Sequence, residues 1–268
     1  MSTRSRRTFE QLVTLPDGAV PLAEAALLMA CEEYPQLELT PYLDTLDEFA
    51  AVVRPRLQPR FSPLDTIDTL NDVLFGVFGF RGNTENYNDP RNSFLNDVIE
   101  RRMGIPITLS AVYLEVARRV GFPIFGVGMP GHFLVVVGEG EWYDPFHGGR
   151  ALDYDGCVAR FAELQDPAAF LPTFLAPVGP IAILDRMLAN LQHSLIERAP
   201  ARAAWPTRLR LRIPGITPAR RAELAALLGS LGQFSEAATE LDMVARDLPG
   251  TGSEQAAQAA ARFRARAN

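Results

Sequence analysis

The chain has 268 residues, of which 47% are hydrophobic and 22% are charged, so it can build a sizeable core in one main domain plus an appendage. Its formal net charge is −6, and its basic residues do not gather into one stripe, which argues against nucleic-acid binding. The sequence contains no run of about 18 apolar residues, so no membrane-spanning helix is expected.

Cysteine usage indicates a reducing compartment. Cys31 and Cys157 stand apart and form no CxxC motif, and no Cys/His cluster has zinc spacing. The run Ser5-Arg6-Arg7-Thr8-Phe9 superficially resembles a twin-arginine export signal, but acidic residues such as Glu10 and Asp17 interrupt the apolar stretch that should follow. We therefore expect a cytoplasmic protein that carries no metal and no other cofactor.

The first third of the chain has helical periodicity. Residues 1–19 look irregular and flexible, and three helices are predicted after them, beginning at Pro21, at Thr40 and after Ser62-Pro63. In each helix the apolar residues recur every three or four positions, as in an amphipathic helix. These helices are predicted to form an N-terminal helical layer.

The middle of the chain changes to strand periodicity. A loop over 79–90 precedes a short helix at 93–102 and a long helix that begins after Gly104-Ile105-Pro106 and ends at Gly121. Three short strands are predicted beyond it, with a hairpin turn at Glu139-Gly140 between the last two. Those strands are Ile124–Val127, Phe133–Val137 and Trp142–Asp144.

The last third is predicted to be helical apart from a linker. A helix covers 181–197, and alanine-rich helices fill 217–266. Residues 198–216 hold prolines, glycines and most of a cluster of arginines, which we interpret as a solvated linker. The predicted organisation is a flexible N-terminus over 1–19, a main domain over 20–197, a linker over 198–216 and a helical region over 217–268.

Two polar residues stand where a thiol-type active site would place them. A helix N-terminus, here after Gly104-Ile105-Pro106, presents unpaired N–H groups and a positive potential that stabilise a thiolate. His132 on an adjoining strand would act as a base, and Asp144 on the next strand would orient it. In neighbouring antiparallel strands the two residues are predicted to face each other as a cross-strand pair.

Several motifs together resemble the transglutaminase-like superfamily, and more narrowly its SirB-type branch. The resemblance covers about residues 20–197. The motifs are Asn92-Ser93-Phe94-Leu95, Arg101 to Leu109, Pro130-Gly131-His132-Phe133, Tyr143 to Gly149, and Arg186-Met187-Leu188-Ala189-Asn190-Leu191.

This resemblance implies a papain-like core with a Cys, His and Asp triad. His132 matches the histidine and Asp144, in Asp-Pro-Phe, matches the aspartate. The same register puts Pro106 at the position of the nucleophilic cysteine, and proline offers neither a nucleophile nor an N–H. A shift of one or two residues reaches Ile107 or Thr108, which are not thiols either.

Other interpretations of these residues stay open. Thr108 and Ser110 are hydroxyls close to the helix start, and each is either a substitute nucleophile or a capping and packing residue. His132 and Asp144 are either pocket residues or a structural histidine and a turn residue. Asn92 is either part of the cleft wall or a helix cap, and His147 is expected in a tight loop beside the pocket.

The C-terminal region resembles one tetratricopeptide repeat. The residues that carry this resemblance are Leu228-Gly229, Gly232, Phe234, Ala237, Leu241 and Pro249. A single repeat cannot bury its own apolar face well, so it either docks on the main domain or helps to bind a partner.

The expected fold is α+β, with a papain-like transglutaminase core, an N-terminal helical layer and a C-terminal helical hairpin. The leading hypothesis is a bacterial, non-catalytic regulatory protein that binds a protein or peptide partner in the cleft around His132 and Asp144, with neither nucleic acid nor membrane involved. The alternatives are a hydrolase or acyl transferase that uses a hydroxyl nucleophile with His132 and Asp144, and a structural scaffold whose cleft is filled. The oligomeric state does not follow from the sequence.

Overall fold

A computed structural model describes residues 3–58, 62–138 and 140–267. Two compact units make up the chain, one ending at Met187 and the other beginning at Leu188. The first unit combines helices with an antiparallel sheet, which confirms the mixed α and β class, and the second is built from helices. No helix in the described ranges is long and apolar enough to cross a membrane.

Within the described residues, five α-helices lie in the first 101 positions of the chain. They are α1 (Thr3–Val13), α2 (Leu22–Ala30), α3 (Thr40–Val53), α4 (Pro63–Asn71) and α5 (Leu95–Arg101). The predicted start of α4 is confirmed, because the Ser62 hydroxyl accepts from the Asp65 amide at 3.2 Å while the Asp65 carboxylate accepts from the Ser62 amide at 2.8 Å. This reciprocal capping box satisfies two N–H groups that the first helical turn cannot.

The N-terminal segment differs from the sequence expectation. Residues 3–13 form α1 rather than an irregular segment. Phe9 and Val13, four positions apart, are both fully buried. Two apolar residues at this spacing lie on one helix face, and their burial stabilises the helix.

The sheet has five antiparallel strands in the order β6-β5-β4-β3-β7. Their bounds are β3 (Phe125–Val127), β4 (Leu134–Val137), β5 (Glu141–Asp144), β6 (Arg150–Leu152) and β7 (Pro177–Val178). All three predicted strands are present within one or two residues. Val135 pairs with both Gly126 and Tyr143, so β4 is the central strand of the sheet. Of the predicted hairpin turn, Glu139 lies outside the described residues and Gly140 has a φ of +98°.

The long helix α6 (Pro106–Arg119) forms the centre of the first unit. Its residues from Pro106 to Ala117 are all buried, and it packs against both the helical layer and the sheet. Ahead of it, two short parallel strands, β1 (Arg81–Gly82) and β2 (Met103–Gly104), fix the approach to its N-terminus. Helix α7 (Tyr154–Ala162) follows the sheet strand β6.

In the second unit the predicted linker is wrong in part, because residues 198–216 contain the helix α9 (Ala204–Leu211). Pro206 is the third residue of α9, where no intrahelical N–H bond is required, so this proline does not break the helix. Arg210 is only 3% exposed and donates to Gln192 at 3.2 Å, and Arg208 donates to Glu236 at 2.7 Å. These arginines are therefore not a solvated stretch.

Three further helices complete the second unit. They follow α8 (Pro180–Arg198) and α9, and they are α10 (Pro218–Ser230), α11 (Phe234–Asp247) and α12 (Gly250–Ala267). Only three residues join α10 to α11, and Gly232 takes a φ of +80° there, which a residue with a Cβ adopts at a cost. Leu228 of α10 and Ala237 of α11 share one apolar cluster.

Candidate functional site

Two turns at one end of the sheet bring His132 and Asp144 together. His132 precedes β4 in a turn that its amide closes by donating to the Met129 carbonyl at 3.1 Å. Gly131 has a φ of +80° in that turn, a conformation that favours glycine. Asp144 is the last residue of β5. His132 therefore lies just before its strand rather than on it, and the pair is diagonal rather than directly cross-strand.

The Asp144 carboxylate accepts hydrogen bonds from three sides. His132 Nε2 lies 2.9 Å and His147 Nδ1 lies 2.8 Å from the same Oδ2 atom. The Phe146 amide donates to Oδ1 at 3.1 Å, and Arg160 Nε lies 3.5 Å from Oδ2. The carboxylate is 0% exposed, so these groups replace its hydration.

The pKa of Asp144 is lower than its ordinary value. Burial by itself raises this pKa, but the hydrogen bond from His132 and the positive potential of His132 and His147 outweigh that effect. The carboxylate is therefore ionised at neutral pH. It accepts from both imidazoles, which fixes a proton on His132 Nε2 and on His147 Nδ1.

The second ring nitrogen of His132 faces a different situation. With Nε2 engaged by Asp144, Nδ1 has no hydrogen-bond partner among the described residues. In the neutral ring this nitrogen is an acceptor, and in the imidazolium it is a donor. The ring is only 4% exposed to solvent, but His132 lines the adjoining cavity. Its Nδ1 atom can therefore form a hydrogen bond with a group that enters this cavity.

A cavity of about 280 Å³ lies beside these two histidines. Pro106, the first residue of α6, is part of its wall. The other lining residues come from the loop before α5, from the two turns around Asp144, and from α7 and the residues just after it. They are Thr84, Tyr87, Gly131, His132, Phe146, His147, Arg160, Glu163 and Leu164.

Neither cysteine is in the wall of this cavity. Cys157 is fully buried in an apolar cluster with Val127 and Leu134, and burial raises the pKa of its thiol to about 12. Cys31 is buried at the end of α2, where its thiol lies 3.5 Å from the Leu27 carbonyl oxygen. Neither cysteine therefore offers a thiolate to His132 and Asp144 in this cavity.

The two hydroxyls considered as substitutes lie elsewhere. Thr108 Oγ1 donates to the Asn92 carbonyl at 2.7 Å and accepts from the Ile105 amide at 3.1 Å, so it anchors the first turn of α6. Ser110 is fully buried, and its Oγ has no hydrogen-bond partner in the described ranges. Neither residue lines the cavity, whereas the hydroxyls of Thr84 and Tyr87, which the sequence analysis overlooked, belong to residues that do.

Asn92 supports the cavity wall from behind. It is fully buried, and its Nδ2 donates to the carbonyls of Asn86 at 2.8 Å and Tyr87 at 3.1 Å. Its Oδ1 accepts from Asn83 at 3.0 Å. Asn92 therefore holds the loop that carries Tyr87 and is not itself part of the lining.

The sequence analysis also overlooked the charged pair of the cavity wall. Arg160 of α7 is paired with Glu163 at 2.5 Å and lies near Asp144. A signal for this residue exists in the sequence, because Arg160 stands beside Phe161 and three positions after Cys157, both of which are buried. A basic residue on the apolar face of a helix needs a buried partner.

One set of side chains resembles a metal site. His132, Asp144 and His147 each offer a ligand atom within 4.8 Å of the others. Both imidazoles, however, aim their nitrogens at one carboxylate oxygen, and the Arg160 guanidinium lies 3.5 Å from that oxygen. A bound cation would break two hydrogen bonds and meet this positive charge, so the geometry favours a hydrogen-bonded cluster over a metal centre.

Comparison with known proteins assigns the region that contains the site to a family. A family model described as the transglutaminase-like superfamily matches residues 40–189, which is more than half of the chain and includes every residue of the site. No solved structure matches the chain.

Similar proteins of bacteria cover most of the same region. A UPF0162 protein of Xylella fastidiosa is 40% identical over 196 residues, which span 70% of this chain and 69% of that protein. Another UPF0162 protein, of Pseudomonas aeruginosa, is 33% identical over 174 residues, or 64% of each chain.

The F-box only protein 21 of Mus musculus is 31% identical over 136 residues, which span 47% of this chain and 21% of that protein.

Proposed function

This chain belongs to the transglutaminase-like superfamily, and we propose that it binds a peptide or protein partner in the cavity around His132 and Asp144 without catalysing a reaction on it. The proposal makes the protein a regulatory or adaptor-type factor rather than an enzyme. It rests on what the cavity retains and on what it lacks.

The single observation that carries the proposal is Pro106 in the cavity wall beside His132. A helix N-terminus next to an Asp-oriented imidazole would activate a thiol, and here that place holds a side chain with no reactive atom. The imidazole, the carboxylate and the cavity remain. What remains is a set of groups that can bind a ligand but lack the thiol that would form an acyl intermediate.

The lining of the cavity suits a peptide. Tyr87, Phe146 and Leu164 offer apolar surface, while His132 and the Arg160–Glu163 pair offer polar groups. Binding sites combine apolar walls with a few placed polar groups in this way. A segment of a partner chain with one apolar and one polar side chain matches that lining.

The two alternatives receive less support. A hydroxyl nucleophile at Thr108 or Ser110 would have to reach His132, yet neither residue lines the cavity. A purely structural scaffold requires a cleft filled with side chains, whereas about 280 Å³ is available here.

The narrower assignments belong to the same proposal. They are membership of the SirB-type branch, a tetratricopeptide-like role of α10 and α11 as a second contact with the partner, and action in the bacterial cytoplasm. The formal net charge of −6 favours a protein partner over nucleic acid.

The position of Pro106 is tested by restoring a thiol. We expect iodoacetamide to alkylate the new thiol of Pro106→Cys about tenfold faster at pH 6 than that of Ser230→Cys, an exposed control on α10, because the imidazole and the helix N-terminus lower the thiol pKa. Mass mapping of the modified peptide measures the rate. Adding His132→Ala should remove the difference, and equal rates in the two single variants would contradict the proposed register.

The binding role is tested by blocking the cavity. Leu164 lines the cavity and is 49% exposed, while Leu171 is 53% exposed and is not among the lining residues. Affinity purification from the source bacterium should recover a partner with wild type and with Leu171→Arg but lose it with Leu164→Arg. Recovery of the same partner by both variants would move binding away from the cavity. Turnover of an amide substrate by the purified wild-type chain would refute a non-catalytic role.

A further inference from the structure

Arg186 of α8 is a half-buried guanidinium with no acidic partner. Its central carbon lies 5.8 Å from the centroid of the buried Phe133 ring, so the charge rests on an aromatic face. No hydrogen bond or ion pair to Arg186 occurs within the described ranges. The other site arginine, Arg160, has both Asp144 and Glu163 for neighbours.

The missing partner is energetically unusual. A guanidinium has five N–H donors, and partial burial removes water from them without a replacement. Burial lowers the pKa of Arg186, and the electrostatic interaction with Tyr87 offsets this only in part. A protein that keeps such a charge leaves a position open for an anion from outside.

Arg186 adjoins the cavity through two features. Tyr87 lines the cavity and interacts electrostatically with Arg186. The turn that positions His132 begins near the same guanidinium, because a Cβ added to Gly128 would lie 3.6 Å from Arg186 Nη1. One extended ligand can therefore reach both His132 and Arg186.

We propose that Arg186 binds a carboxylate of the peptide that occupies the His132 cavity. The inference rests on the proposed binding function and names the chemistry of its ligand. A single planar guanidinium matches a singly charged carboxylate through two parallel hydrogen bonds. A phosphate dianion requires more than one cation for its binding, and no second cation acts on Arg186 among the described residues.

The test uses rhodamine-labelled hexapeptide pools and fluorescence anisotropy on the full chain. One pool carries a single Glu and an amidated C-terminus, a second has no acidic side chain and a free C-terminal carboxylate, and a third has neither. We expect wild type to bind at least one of the first two pools about tenfold more tightly than the third. The pool that binds best identifies the source of the carboxylate.

The variants separate this proposal from the broader one. Arg186→Gln should abolish the preference for the carboxylate pool, Arg186→Lys should reduce it, and Arg262→Gln, an exposed site on α12, should leave it unchanged. His132→Ala should weaken binding of all three pools alike. The melting temperature of Arg186→Gln should equal or exceed that of wild type, since an unpaired buried charge is removed.

Each remaining outcome has a definite meaning. Equal binding of all three pools by wild type would overturn the carboxylate proposal and leave peptide binding intact. A carboxylate preference that survives Arg186→Gln would place the anion at another residue. Absence of binding by every pool would refute both the peptide cavity and its anion anchor.

Discussion

At the residue scale, the site depends on Asp144. The carboxylate is fully buried, and three neighbouring residues donate hydrogen bonds to it. The sequence indicated Asp144 and His132 through their motifs, and the structure confirms that they touch. Their role in binding stays a prediction. Arg160 and Tyr87 were missed because they belong to none of the recognised motifs, although the buried neighbours of Arg160 in the chain gave a signal for it.

Replacing Asp144 tests how much this cluster stabilises the protein. We expect Asp144→Asn to lower the free energy of unfolding by about 3 kcal/mol at pH 7, because Arg160 loses its buried counter-charge and the hydrogen bonds of His132 and His147 to the carboxylate are weakened. Denaturant unfolding measures the change. His147→Ala should cost less, since that ring is 38% exposed. Equal stability of wild type and Asp144→Asn would show that the cluster serves binding alone.

The same residue predicts a pH dependence. The pKa of Asp144 is lower in the folded chain than in the unfolded chain, so the unfolded state binds more protons as the solution is acidified. Its stabilising contribution is complete above the unfolded-state pKa of about 3.9 and disappears as the pH falls through the folded-state value. The stability difference between wild type and Asp144→Asn should therefore shrink as the pH falls from about 5 to about 2, because a carboxyl with a lowered pKa becomes protonated over this range. A difference that grows in acid would contradict the assignment.

At the element scale, the N-terminus of α6 determines what the site can do. Sequence periodicity predicted this helix and its start, and the proline at its first position is a common helix-starting residue. What the sequence left open was whether Thr108 acts as a cap or as a nucleophile. Its hydrogen bonds to the Ile105 amide and the Asn92 carbonyl match the capping role.

A threonine substitution measures that cap. Thr108→Val should lower the free energy of unfolding by about 1–2 kcal/mol, because a fully buried amide and carbonyl lose their partner. Thr239→Val, on the exposed face of α11, should change stability by less than about 0.5 kcal/mol. Peptide binding by folded Thr108→Val should equal that of wild type. A loss of binding at unchanged stability would return the hydroxyl to the functional site.

At the scale of the whole molecule, the chain forms two units with separate apolar clusters. The second unit buries Leu228, Leu224 and Ala237 in one cluster. Leu228→Ala should increase hydrogen exchange in peptides from α10 to α12, since removing a buried leucine costs about 2–5 kcal/mol. Leu227→Ala, one position along the same helix and less buried, is the matched control. Unchanged exchange in Leu228→Ala would mean that this cluster does not hold the unit together.

The sequence by itself determined most of the helices, the three strands β3 to β5, and the presence of a histidine and an aspartate without a cysteine at the helix start. These features follow from periodicity, capping residues and motifs, all of which act over a few neighbouring positions. Only the tertiary structure decided that α1 and α9 are helical, that Arg160 and Tyr87 line the cavity, and that no acidic partner of Arg186 lies among the residues that the structure describes. Burial and charge compensation depend on residues that are distant in the chain, and no local pattern records which of them meet.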